Sequence, residues 1–202
     1  MDRWATFDCY GTLVDWNAGL AGALGSESLV ARYHEVEPVI QAESPGLSYR
    51  EVMREAARRL GVDADPAETL PGWPVFDDVR AELEAAHARG WKLAILSNSD
   101  RDLIEASIEA LAVPFELAIV ASEIGSYKPA HRHWEAFAGT VGRLPDVHVA
   151  QSHFHDVVPA EALGIPTVWI NRLGEGAEPA PTRELPSLTG LADTLDELAP
   201  AG

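Results

Sequence analysis

The chain has 202 residues, 47 % of them hydrophobic, enough for one or two compact domains with a substantial core. With 15 basic against 32 acidic residues its formal charge is −17, which argues against nucleic acid and against anionic membrane surfaces as partners. A single cysteine excludes an internal disulfide and fits a reducing compartment.

The first residues, Met1-Asp2-Arg3-Trp4, enter an apolar run at once and show no signal-peptide pattern, and no run approaches the length of a membrane span. The expected location is cytoplasmic. Residues 4–7 predict a short buried strand that delivers Asp8 to the turn Cys9-Tyr10-Gly11-Thr12. Open α/β sheets place their ligands at such carboxyl ends, and a carboxylate held there can act as a nucleophile. Alone, an Asp before a Gly-Thr turn is ordinary turn chemistry.

The alternation of strand and helix then pauses. Residues 20–41 have near-helical apolar spacing, and Ser48 with Glu51 forms a capping box that opens a helix through Leu60, stopped at Gly61. Two or more helices inserted here predict a helical cap over 15–74. From about residue 75 the alternation resumes, with a helix over 76–89 and a strand over 92–96 that ends at Ser97-Asn98. A helix capped by Asp100 runs to Leu111, and a third strand covers 117–121. A helix near 131–139, a strand over 147–150, a helix over 156–163 and a strand over 167–170 follow. The Pro-, Gly- and Glu-rich stretch 174–186 predicts a loop before a last helix over 188–198. This pattern predicts a Rossmann-like doubly wound parallel sheet, α/β in class, formed by 1–14 and 75–202.

Asp8, Ser97, Lys128 and Asp156 each stand past a short apolar run, so a parallel sheet would gather them on one rim. Lys128 is one of only two lysines, and it lies in the polar segment Ser126-Tyr127-Lys128-Pro129. Each residue has a plainer reading as a turn, cap or surface group; their fixed order favours a site. His153 and His155, with His148 nearby, lack a third ligand at diagnostic spacing, so no metal site is assigned to them. Acidic and arginine-rich helix faces are read as solvated.

These four motifs, with Leu96-Ser97-Asn98-Ser99, Tyr127-Lys128-Pro129 and the segment from Gly164 to Arg172, resemble the haloacid dehalogenase superfamily. They are most similar to its type II (L-)2-haloacid dehalogenase branch. The resemblance implies that Asp8 displaces halide from a short 2-haloacid through a covalent ester, which water opens to a 2-hydroxyacid. Lys128 would keep Asp8 ionised, since a cation within ~4–6 Å favours the carboxylate. Asp156 would orient Lys128 and help activate water. Ser97 would bind the substrate carboxylate, Arg32 on the first cap helix and Asn98 the departing halide, and Trp134 would line the pocket. The partner implied is a small anionic substrate; a homodimer is compatible with the resemblance.

Two positions depart from the superfamily's phosphatases. Tyr10 stands where they carry a second Asp that protonates the leaving group, and tyrosine, with a pKa of about 10, is a poor acid at neutral pH. Ser152 stands at one of their acidic positions, which weakens a Mg²⁺ site built on carboxylates. No cofactor is therefore expected, Mg²⁺ entering only under an alternative reading as a phosphatase. Gln151 and His153 replace the small polar residues of the dehalogenase branch, which leaves substrate size open. A third reading is a non-catalytic member that binds a metabolite.

Overall fold

The computed structural model describes residues 2–201. Six strands, β1 (Arg3–Phe7), β2 (Trp91–Ser97), β3 (Leu117–Val120), β4 (Val147–Ala150), β5 (Thr167–Ile170) and β6 (Arg183–Leu185), form one sheet in the order β3-β2-β1-β4-β5-β6. Every neighbouring pair is parallel. Alternation along the strands explains why both faces must be covered: Ala5, Phe7, Leu93 and Ile95 enter one apolar cluster, while Trp4, Ala94 and Leu96 enter another on the opposite face. The doubly wound α/β arrangement expected from sequence is the one observed. Strands are added to one side of β1 and then to the other, so the loops after β1, β2 and β4 open at a common crevice.

Between β1 and β2 the chain forms α1 (Trp16–Leu24), α2 (Ser28–Glu43), α3 (Tyr49–Arg59) and α4 (Pro66–Thr69). The starts of α1 and α3 follow from their caps. Asp15 accepts the Ala18 amide at 3.0 Å, and the Ser48–Glu51 capping box forms as the sequence predicts. Trp16 packs among Tyr10, Tyr33, Tyr49 and Trp73, which sets these helices directly above the turn after β1. Gly19 lets α1 approach Trp73: a Cβ there would stand 2.1 Å from the indole.

The layers against the sheet are α5 (Val79–Ala88), α6 (Arg101–Leu111), α7 (Ala121–Ile124), α8 (Arg132–Val141), α9 (Val158–Ala162) and α10 (Leu191–Leu198). Asp100 precedes α6 without capping it through its side chain. Its carboxylate instead accepts the Tyr49 and Arg50 amides, at 3.0 and 2.9 Å, at the start of α3. The Arg50–Asp102 ion pair and the Tyr127 hydroxyl on the Leu47 carbonyl add to this joint.

Two expectations need correction. The stretch 174–186 is not all loop, because β6 adds an edge strand; only three residues long, with Arg183 and Glu184 exposed, it carries no alternation to detect. The predicted helix over 156–163 is a π-turn, His153–Val157, followed by the short α9. Pro159 has no amide proton to continue the regular ladder through this segment. Among the described residues no helix is long and apolar enough to cross a membrane.

Candidate active site

Asp8 follows β1, and its amide is fixed on the Val149 carbonyl of β4 at 3.0 Å. Lys128 reaches it from the loop after α7. The ammonium donates to Asp8 Oδ1 at 2.9 Å, to Asp156 Oδ1 at 2.6 Å and to the Leu96 carbonyl at 2.9 Å, so its three protons are used. Asn98 holds that loop twice: its Oδ1 accepts the Lys128 amide at 2.6 Å and its Nδ2 donates to the Lys128 carbonyl at 3.1 Å. On the other side of Asp8, the Thr12 hydroxyl donates to Oδ2 at 2.9 Å and accepts the Gln151 amide at 2.8 Å. Gly11, at φ +86°, gives the turn its shape and leaves room for the Gln151 side chain.

All three charged groups are buried. Burial pushes the Asp8 carboxyl up, Lys128 pulls it back, and the neighbouring charge of Asp156 adds to the rise. Burial would also raise Asp156, but Lys128 and His148 outweigh it and hold that carboxyl at about 2. Lys128 is held above its ordinary value because Asp156 and Asp8 overcome its desolvation. The trio therefore contains one cation, one firmly ionised carboxylate and one carboxylate poised nearer its titration range.

Sequence reasoning missed His148, the second residue of β4. Its Nε2 donates to the ionised Asp156 Oδ1 at 3.0 Å, and Thr6 Oγ1 lies 2.8 Å from its Nδ1. A histidine inside an otherwise apolar, fully buried strand was the available signal.

A cavity of about 870 Å³ lies between the sheet rim and the inserted helices. Asp8, Tyr10, Ser97, Asn98, Lys128, Gln151, His153 and Asp156 all line it. The Tyr10 hydroxyl pairs with Ser107 at 3.1 Å, and burial lifts its pKa well above the ordinary tyrosine value. His153 is tied through Nε2 to the Pro179 carbonyl at 2.8 Å, with its ring against Trp169.

Two expected pocket residues lie elsewhere. Trp134 is fully buried beneath the sheet, in the apolar cluster with Trp4 and Phe137, because α8 packs on that face. Arg32 is exposed and does not line the cavity. The cavity stripe of α2 is His34, Glu37, Pro38 and Gln41, spaced i, i+3, i+4, i+7, and Arg32 lies about 200° around the helix from His34. Glu37 and His34 are cavity residues that sequence reasoning had left on a solvated face.

The chain's N-terminal three-quarters decides its family: residues 3–148 match the model of the haloacid dehalogenase-like hydrolases. The chain belongs to that family. It is 25 % identical over 220 residues to the (S)-2-haloacid dehalogenase of Pseudomonas sp. (strain YL), covering 96 % of this chain and 94 % of that protein. It is 28 % identical to the phosphoserine phosphatase of Thermus thermophilus, over 72 % of this chain and 64 % of that protein. In fold it is similar to the crystal structure of an L-2-haloacid dehalogenase, with a TM-score of 0.81 at 21 % identity, covering 96 % of this chain and 99 % of that one.

A Mg²⁺ ion, which the phosphatases of the superfamily bind through acidic residues, would have to be held here by Asp8 and Asp156. Among the described residues no three His, Cys, Asp or Glu side chains are grouped to hold a metal. Ser152, at one of the acidic positions, has its hydroxyl on the His155 ring at 3.0 Å. The Lys128 ammonium already bridges the two remaining carboxylates.

Proposed function

We propose that this haloacid dehalogenase-like hydrolase displaces halide from a 2-haloacid by nucleophilic attack of Asp8. The observation that carries the reading is the Lys128-bridged carboxylate pair at the cavity floor, with Tyr10 where a proton donor would stand. A halide leaves as a stable anion and needs no acid. The full-length similarity to (S)-2-haloacid dehalogenases supports the same reading.

An Asp8 carboxylate oxygen forms a bond to C2 as the carbon–halogen bond breaks, both of its electrons leaving on the halide. Attack from the face opposite the halogen inverts that carbon. Water then adds to the Asp8 carboxyl carbon, the ester opens to a 2-hydroxyacid, and one proton is released. Lys128 holds Asp8 ionised and aimed, and Asn98 fixes the loop that carries Lys128. Ser97 lines the cavity and would receive the substrate carboxylate. Asp156 Oδ1 is committed to Lys128 and His148, while Oδ2 has no hydrogen bond among the described residues and remains to take a proton from water.

The test is halide release from each enantiomer of 2-chloropropionate with excess EDTA. We expect release from one enantiomer and none from Asp8→Asn. The similarity to a phosphoserine phosphatase supplies the second reading. Phosphate release from a phosphomonoester panel that requires Mg²⁺, with no halide release, would replace the first by the second. Loss of neither ligand binding nor biological effect in Asp8→Asn would point to a binding protein.

A further inference from the structure

The lining of the cavity is a poor match to a substrate whose only charge is a carboxylate. Five carboxyl groups border it: Asp8, Asp156, Asp15, Glu37 and Glu175. Against them stand Lys128, whose protons are all used, and Arg172. The Arg172 guanidinium is tied to Asp78 at 3.0 and 3.1 Å and to the Thr12 carbonyl at 3.1 Å, leaving its buried Nε without a partner among the described residues. For His34 and His155 desolvation disfavours the charged form. The volume of about 870 Å³ falls among pockets that take drug-sized ligands, roughly 300–1,000 Å³, and exceeds what a three-carbon acid fills.

The polar stripe of α2 gives the excess space a chemistry. Glu37 is half-buried in the cavity wall, and its Oε1 accepts the Tyr49 hydroxyl at 2.6 Å. That bond fixes the carboxyl, and Tyr49 also lines the cavity and packs against Trp16. The second carboxyl oxygen has no partner among the described residues. Gln41, one turn along, presents an amide to the same space, and no basic side chain of the inserted helices other than His34 lines it. A carboxyl without a counter-charge is costly when half-buried, and burial accordingly pushes Glu37 up to about 7. A cation from the ligand would remove that cost.

We propose that the α2 stripe is a substrate subsite in which Glu37, positioned by Tyr49, receives a protonated amine carried at the far end of the haloacid from its reacting carbon. The substrate class is then an ω-amino-2-haloacid, zwitterionic and longer than 2-chloropropionate. This rests on the dehalogenase reading for the reacting end; the amine subsite itself can be tested without turnover.

The probes are ω-amino-2-chloro acids of three to six carbons, each paired with its N-acetyl counterpart, which keeps the chain and loses the charge. At one chain length or more, kcat/KM for the amine should exceed that for the acetamide at least tenfold, and Glu37→Gln should bring the ratio close to one. The same comparison is made by calorimetry on the corresponding 2-hydroxy acids binding to the wild-type protein. An amine-to-acetamide ratio near one at every length, or a preference that survives Glu37→Gln, overturns the subsite. So does a Glu37→Gln variant that loses both members of each pair equally. If no probe releases halide while 2-chloropropionate does, the reacting end stands and the calorimetric ratio decides the subsite; if 2-chloropropionate is inert as well, the dehalogenase reading fails and the same ratio still decides the subsite.

Discussion

At the scale of single residues, Lys128 is where structure and chemistry meet. Lys128→Met leaves Asp8 and Asp156 facing each other without a cation, and breaking such a buried pair costs about 3–5 kcal/mol. We expect that loss in urea unfolding at pH 7, together with loss of halide release. The deficit should shrink in acid. Asp156 is depressed in the fold, so the stability it contributes is present above the unfolded aspartate value and is lost as pH falls towards 2. Asp8, raised in the fold, runs the other way: its share favours the fold in acid and fades as pH rises through its folded value. If Asp8 attacks as proposed it must be ionised, so the acid limb of the kcat/KM profile should lie above the range of an exposed aspartate. Thr12→Val removes the donor to Oδ2 and should move that limb higher still, as a pH–rate series would record. Asp8, Ser97, Lys128 and Asp156 were legible because each is a polar residue just beyond an apolar run. Glu37 was not, because charge on a helix is usually solvated and its burial comes from the packing of α2 on α3, where Tyr49 meets it, which no local pattern reports.

Among the elements, α1 depends on one close approach. Gly19→Ala would drive a methyl into the Trp73 ring, and an overpacked site of this kind costs about 1–3 kcal/mol. For a chain of this size that is a fall in Tm of roughly 2–4 °C per kcal/mol, measurable by thermal melting. Secondary structure was readable where periodicity ran for several turns with a cap, as in α3, whose capping box is explicit in Ser48 and Glu51. It failed where an element was short or irregular. β6 is held by backbone pairing to β5, and the π-turn before α9 is shaped by Ser152, Pro159 and the need to aim Asp156 inward. Trp134 shows a related limit: its distance along the chain from Lys128 says nothing about which face of the sheet α8 covers.

For the whole molecule, a formal charge of −17 should slow the approach of any simple anion. Raising a halide-free salt shortens the Debye length, to about 10 Å at 0.1 M, so kcat/KM for 2-chloropropionate should climb with ionic strength. An ω-amino-2-haloacid, with no net charge, should respond much less. Composition alone made this field legible, but its concentration in the cavity depended on the fold bringing Asp15 and Glu37 of the inserted segment beside Asp8, Asp156 and Glu175. The placement of Asp100 has a mechanical consequence. The short turn leaving β2 grips the Lys128 loop through Asn98 and, two residues on, grips the start of α3 through Asp100. One three-residue turn thus ties the start of α3 and the Lys128 loop together, so a substitution at Asp100 that frees the α3 amides should also slacken the hold on Lys128.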